Sequence, residues 1–351
     1  MKVAPGGHFG KQELNFQSFA ILIFFKQIFA CVVITLNYMP DQTPLVEVNR
    51  LSKQYPGLLA VDELSFSVNQ GDVYGFLGQN GAGKSTTIRM LLSLIRPSSG
   101  SIKIFGLPLE TERSKILRKV GAVIEKPDLY KYLSAYDNLK LFARMSGIRV
   151  TRQLLMDQLQ MVGLDQRAHD KAGTFSQGMK QRLGIAVALV HNPDLVILDE
   201  PTNGLDPQGI ADMRQLILRM SHEMGKTVII SSHLLSEIEL VANRMLIIHR
   251  GKKMVEGVVS ELLDPSHTWV ELSCRNVPLL EEIVRKSIWG SQIQTNGQSV
   301  SILMNKSEVP EMIRTFVEAQ VPLNGVNTTH SLENYFLSLT NPAVHVEPFA
   351  N

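Results

Sequence analysis

Cysteine is nearly absent: the 351 residues contain two, Cys31 and Cys274. Two cysteines build neither a disulfide framework nor a zinc site, so a reduced, intracellular setting is expected. An excess of one charge sign is missing too. The 35 basic and 33 acidic residues leave a formal charge of +2. Between Met1 and Tyr38 the bases Lys2, Lys11 and Lys26 face a single acid, Glu13, and the remainder of the chain carries equal numbers of each sign. A neutral body offers no electrostatic basis for nonspecific nucleic-acid binding, and no nucleic-acid partner is expected. Internal repeats and low-complexity segments are lacking, and 44% apolar with 19% charged residues describes an ordinary globular chain of one large domain and a small one. Long hydrophobic runs are almost missing. The exception is Phe19–Leu36, where every position except Lys26, Gln27 and Thr35 is apolar. Three readings compete for it: a signal or anchor without an A-x-A-like cleavage site, a membrane span with a costly Lys-Gln pair, or an extension upstream of a working protein that starts at Met39. We take the third. From residue 39 onward no set of spans exists, so this chain cannot itself form a membrane pore.

From Leu45 onward apolar strands and amphipathic helices alternate, the pattern of an α/β domain with a largely parallel sheet. Leu64, Phe66 and Val68 alternate with polar residues and predict a half-buried strand; Val73–Leu77 is the next. A helix with Ile88, Leu91, Leu92 and Ile95 on one face ends before Pro97. Residues 125–191 read as mostly helical. Leu195–Leu198, Thr227–Ile230 and Met245–Ile248 are continuous apolar runs suited to central strands covered on both faces. After Pro265 the character changes to a small α+β module: strands at Trp269–Leu272 and Ser299–Leu303, helices at Leu279–Lys286, Pro310–Ala319 and Leu332–Leu339. The division is thus 1–44 for the extension, 45–265 for the main domain and 266–351 for the accessory module.

Gly78-Gln79-Asn80-Gly81-Ala82-Gly83-Lys84-Ser85 fits G-x-x-x-x-G-K-[ST] between a strand and a helix. A chance match in a chain of this length is about one in a hundred. Glycines let backbone N–H groups turn toward phosphates, and the following helix adds its positive end. Lys84 neutralises β- and γ-phosphates, Ser85 supplies a hydroxyl to Mg²⁺, and Thr86 continues the loop into the helix. This is a nucleotide site, with a nucleoside triphosphate and Mg²⁺ as the expected ligands; the resemblance given below makes the nucleotide ATP.

Leu195–Leu198 runs into Asp199-Glu200. The carboxyl end of a buried strand is where open α/β sheets bind ligands. Asp199 is expected to hold Mg²⁺ and Glu200 to act as the general base on water. An Asp-Glu pair alone is more often a helix start, but beside a phosphate loop the functional reading prevails.

Together with Thr174-Phe175-Ser176-Gln177-Gly178-Met179, these motifs resemble the ABC ATPase family, whose signature is commonly Leu-Ser-Gly-Gly-Gln. Ser176 stands as far ahead of Asp199 as that family requires. The resemblance implies a phosphate-loop core with an antiparallel β subdomain and a helical subdomain. It implies that Ser176 and Gly178 grip the γ-phosphate of a partner subunit, although Ser176 also suits a plain helix cap. Gly204-Leu205-Asp206 resembles the dimer-contact loop, and His233 the switch histidine. Tyr55 precedes Lys84 by the family's interval and resembles the aromatic residue that stacks on adenine. Two departures stand out. Glu125 occupies a position that is commonly Gln; as a carboxylate it can still ligate Mg²⁺ and can also act as a base. Met179 occupies a position that is usually polar. Glu125-Lys126-Pro127 and the tail Ser331–Phe336 resemble the subset serving bacterial export, including antibiotic-resistance and peptide-immunity exporters.

The resemblance further implies an ATPase that works as a homodimer, or as a pseudo-dimer with a related ATPase, on the cytoplasmic face of the membrane. Integral-membrane permease subunits would be its partners. The rival readings are a translation ATPase and a chromosome ATPase. The first would need a second phosphate loop, and the second a long coiled coil in the short interval between Lys84 and Ser176. An importer subunit shares every catalytic motif.

Overall fold

The computed structural model describes residues 44–330, apart from 264–267, 291, 292, 296, 298 and 322. The run Phe19–Leu36 and the expected helix at Leu332–Leu339 lie outside the described residues.

A six-stranded sheet forms the centre. Its strands are β3 (Val73–Leu77), β6 (Val120–Ile124), β7 (Leu195–Asp199), β8 (Thr227–Ser232), β9 (Arg244–His249) and β10 (Lys252–Val258), in the order β10-β9-β3-β8-β7-β6. All neighbours run parallel except the terminal β10–β9 hairpin. The continuous apolar runs become the central strands because both faces are covered. Alternate residues still serve different layers. Leu77, Val196, Leu198, Val228, Ile230, Met245 and Ile247 face a helical layer. Tyr74, Phe76, Leu195, Ile197, Ile229, Leu246 and Ile248 face the opposite side. There an antiparallel sheet closes the core: β1 (Val46–Tyr55), β2 (Leu58–Val68), β4 (Ser99–Ile104) and β5 (Leu107–Pro108), in the order β2-β1-β4-β5. Leu64, Phe66 and Val68 are its buried alternation, while Ser65 and Ser67 are only half-buried.

The helices are α1 (Lys84–Leu91), α2 (Leu109–Leu117), α3 (Ala135–Met145), α4 (Arg152–Met161), α5 (Gln177–Leu189), α6 (Pro207–His222), α7 (Leu235–Glu239), α8 (Val259–Leu262), α9 (Val277–Lys286) and α10 (Val309–Glu318). Side-chain caps start several of them: Ser134 receives Asp137 N–H, Thr151 Leu154 N–H, Ser176 Met179 N–H and Asp206 Gly209 N–H. These caps satisfy amides that the helix itself leaves without partners. At α1 the preceding residue is Gly83 and no side chain caps the helix.

A charged network ties the two sheets together. Arg244 pairs with Asp72 at 3.1 Å and donates to the Ser67 carbonyl at 3.2 Å, while Tyr74 donates to Glu256 at 2.8 Å. Burial, followed by the Glu256 carboxylate, pushes the Tyr74 phenol well above its ordinary pKa.

Between β6 and α3 the loop is held by Asn138, which is fully buried. Its Oδ1 accepts the Tyr130 N–H at 2.8 Å, and its Nδ2 donates to the carbonyls of Tyr130 and Ser134 at 3.0 and 2.9 Å. Asn138→Ala would strip these bonds and leave the Tyr130 N–H without its partner, while the two carbonyls keep the backbone N–H groups of Leu133 and Asn138. A loss of about 1–3 kcal/mol is expected, read as a lowered urea midpoint at unchanged slope.

The last part has its own sheet. The strands β11 (Thr268–Cys274), β12 (Ile293–Thr295), β13 (Ser299–Met304) and β14 (Leu323–His330) are all antiparallel, in the order β12-β13-β11-β14. With α9 and α10 the chain order is βαββαβ, the ferredoxin-like arrangement. Val270, Leu272, Leu280, Val284, Val300, Ile302, Met312 and Phe316 form a separate core. Among the described residues no helix is long and apolar enough to cross a membrane.

Candidate functional site

Three neighbouring strands, β3, β8 and β7, end side by side in the central sheet. The glycine-rich loop follows β3, Ser231, Ser232 and His233 stand at the end of β8, and Asp199 and Glu200 at the end of β7. Parallel pairing brings together what the sequence separates by more than a hundred residues.

Gly83 shows why the loop needs glycine. Its φ is +109°, and a Cβ there would stand 2.7 Å from the Ala60 carbonyl oxygen. The next residue, Lys84, is only 4% exposed. Its Nζ donates to the carbonyls of Gly78 and Gln79 at 2.5 and 3.2 Å and pairs with Glu200 Oε1 at 3.1 Å. The other oxygen of Glu200, Oε2, lies 3.0 Å from His233 Nδ1. Lys84, Glu200 and His233 therefore form one continuous row across three strand ends. Glu200 itself has φ +49°, a sparsely populated conformation that functional sites tend to retain.

Asp199 is 1% exposed. Its Oδ1 accepts the Ser231 hydroxyl at 2.6 Å, and the same hydroxyl oxygen accepts the Glu200 N–H at 2.8 Å. Its Oδ2 is buried with no hydrogen-bond partner among the described residues. Such an oxygen is costly unless a cation or donor meets it. A hard divalent cation fits it, with the Ser85 hydroxyl and nucleotide phosphate oxygens as the remaining ligand types.

The side chains of the other expected residues stand outside this row of contacts. Ser85 and Thr86 are half-buried in the first turn of α1, Gln79 is half-buried and Asn80 exposed. Thr87 turns inward onto the Gly83 carbonyl at 2.9 Å. Tyr55 is partly exposed at the end of β1, with Lys53 Nζ 5.1 Å from its ring centroid. Glu125 has φ +55° and pairs with Arg89 of α1 at 2.6 Å. Ser176 caps α5, and Gly178 lies beside Leu205, whose Cδ2 is 3.8 Å from a Cβ built there. Among the described residues no hydrogen bond or ion pair joins Ser176 or Gly178 to the glycine-rich loop of the same chain. Asp206 of the Gly204-Leu205-Asp206 stretch caps α6.

Sequence reasoning missed Ser231, Arg89 and Glu237. Ser231 stands in a stretch that draws attention only through its histidine. Glu237 accepts hydroxyls from Thr202 and Ser232 at 2.7 and 2.6 Å, holding the turns after β7 and β8 together. No local pattern announces these residues, because their partners are brought to them by the fold.

Comparison with known proteins places this arrangement. The ABC transporter family model matches residues 61–203. The uncharacterized ABC transporter ATP-binding protein YhcH of Bacillus subtilis is 42% identical over 301 residues, covering 84% of this chain and 96% of that one. The bacitracin transport ATP-binding protein BcrA of Bacillus licheniformis is 41% identical over 300 residues, covering 84% and 97%. Among solved structures, the dimeric post-hydrolysis state of the ATP-binding cassette MJ0796, bound to ADP and Pi, is similar with a TM-score of 0.57. It is 26% identical and covers 61% of this chain and 98% of that one.

Proposed function

The chain belongs to the ABC transporter family as an ATP-binding subunit, and from this we propose that two copies close head to tail around two Mg-ATP. It is an ATPase whose hydrolysis serves transport through separate membrane subunits. Each site would combine Lys84, Ser85, Asp199, Glu200 and His233 of one copy with Ser176 and Gly178 of the other. The observation that carries this reading is the row Lys84–Glu200–His233 beside the unsatisfied Asp199 oxygen.

Both Glu200 oxygens are engaged, one by Lys84 and one by His233. Phosphates entering the loop would compete for the Lys84 ammonium. Losing Lys84 frees one carboxylate oxygen to accept a proton from water, with His233 still holding the other. A base that becomes available only as phosphate arrives couples binding to chemistry. Ser85 and Asp199 would hold Mg²⁺, with Glu125 as a further oxygen ligand once released from Arg89. Bound there, the ion would neutralise charge on the phosphates. Tyr55 offers its ring to adenine. Ser176 and Gly178, at the start of α5, present a helix N-terminus to the γ-phosphate across the dimer. Once that phosphate leaves, the charge holding the copies together is gone.

The division into a cassette at 45–265 and an accessory module at 266–351 belongs to the same proposal. So does placement on the cytoplasmic face of the membrane. Export is the favoured direction, supported by the Glu125 variant and by the similarity to a bacitracin transport subunit. The contact with the membrane subunit would lie around 128–136. There Tyr130 and Tyr132, 40% and 70% exposed, meet edge to face at 5.9 Å. Such an exposed aromatic pair suits an anchor for a partner. Tyr130→Ala with Tyr132→Ala is expected to abolish coupled transport in membranes containing the partner while ATP affinity stays within twofold. Unchanged transport would exclude this contact. The dimer is tested by light scattering with turnover blocked and Mg-ATP saturating; a strictly monomeric chain would overturn the composite site.

A further inference from the structure

We infer that Gly184 and Pro127 are positioning residues for ATP hydrolysis, locking the loop that carries Glu125 to the helix that carries Ser176 and Gly178. The inference rests on the composite site proposed above. Gly184 is buried in the interior of α5, where glycine weakens a helix relative to alanine. Its surroundings explain why it stands there. A Cβ on Gly184 would lie 2.5 and 2.6 Å from Cγ and Cβ of Pro127. Real Cβ atoms do not approach so closely, and the proline ring cannot fold aside. The ring therefore seats in the notch left by the missing side chain.

Pro127 follows closely on Glu125, so this contact joins the Glu125 loop directly to α5. A second close approach keeps the joint stiff. A Cβ on Gly121 of β6 would collide with the carbonyl oxygen of Ala188. Residues 184 and 188 are one turn apart on the same face of α5. Strand β6, the Glu125 loop and α5 are thus interlocked at two neighbouring points, and close-packed contacts transmit displacement rather than absorb it.

The outer end of this assembly is tethered by the pairing of Arg89 with Glu125. Gly178 precedes Gly184 on the same helix by about 9 Å along the axis. When Glu125 leaves Arg89 for the nucleotide, Pro127 moves with it, and α5 cannot stay behind. Occupation of one site thereby sets the position of the groups this copy offers to the other. In catalysis a misplacement on the order of 1 Å costs about 100-fold in rate.

Three variants test this: Gly184→Ala, Pro127→Ala and the pair. Measured are turnover at saturating Mg-ATP, affinity for a fluorescent ATP analogue, melting temperature, and nucleotide-driven dimerisation in an otherwise inactive Glu200→Gln background. Gly184→Ala is expected to lower turnover by about 10- to 100-fold, with analogue affinity within twofold and dimerisation weakened. Adding Pro127→Ala empties the space and should restore turnover to within about threefold of Pro127→Ala alone. The inference is overturned if Gly184→Ala turns over at the parental rate, or if the loss tracks melting temperature and the second substitution does not recover it. If Gly184→Ala does not fold, the pair compared with Pro127→Ala decides the matter: turnover in the folded pair more than tenfold below that of Pro127→Ala overturns the lock. Failure of the composite site itself shows separately, as a Glu200→Gln parent that stays monomeric.

Discussion

Glu200→Gln is expected to lower ATP turnover by about 10²–10⁴-fold while leaving nucleotide bound. The amide keeps the size and planarity of the carboxylate, so the turn at φ +49° and the Ser231 contact to the backbone N–H survive. What disappears is the capacity to take a proton from water. Phosphate release at saturating Mg-ATP measures the loss, and retention of nucleotide on a desalting column measures binding. Parental turnover in the variant would remove Glu200 from the mechanism and leave His233, 3.0 Å away, as the group to examine.

Lys84→Ala acts on the other half of the same ion pair with the opposite signature. The ammonium is buried and makes two carbonyl hydrogen bonds and one ion pair. All of its donor capacity is transferable to phosphate oxygens. Because these donors already have partners in the free site, the net loss is taken as one charge-assisted hydrogen bond, roughly 1.5–3 kcal/mol, so ATP affinity should fall about 10- to 150-fold. Equilibrium titration with a fluorescent nucleotide reads this directly. The contrast between variants is informative: Glu200→Gln binds without turning over, whereas Lys84→Ala fails earlier. If Lys84→Ala bound ATP as tightly as the parent, the glycine-rich loop would not be the phosphate site.

How much of this is legible in the sequence depends on whether the cause is local. Strands β3, β7, β8 and β9 are legible because layers on both faces make their apolar runs continuous. Leu64, Phe66 and Val68 are legible for the complementary reason, since that sheet buries one face. Strand β14, Leu-Asn-Gly-Val-Asn-Thr-Thr-His, carries few apolar residues and escapes a reading by pattern; its state comes from pairing with β11. Context of that kind leaves little trace in a strand's own composition. Strand β1 is similar, with Asn49, Arg50, Lys53 and Gln54 inside a long strand held between β2 and β4.

The site divides along the same line. The glycine spacing before Lys84 and the acids closing an apolar strand are what the proposed phosphate chemistry requires, and they are visible as strings. Ser231 and Arg89 are not visible, because their partners Asp199 and Glu125 lie 32 and 36 positions away and only the fold brings them near. The sequence offers Glu125 as a metal ligand or base. Its partner in this structure is Arg89, a contact that no motif encodes.

The central strands give alternate residues to two different layers, and this bears on how the protein tolerates change. Leu198 presses on the helices and Ile197 on the opposite sheet, yet both belong to the strand that ends in Asp199 and Glu200. A methylene gained or lost on either side tilts the same short rod, and with it the spacing among three neighbouring tips. Hydrolysis should therefore falter under interior substitutions too mild to unfold the chain, so the repertoire of permitted core residues is narrowed by the chemistry at the strand ends before it is narrowed by stability.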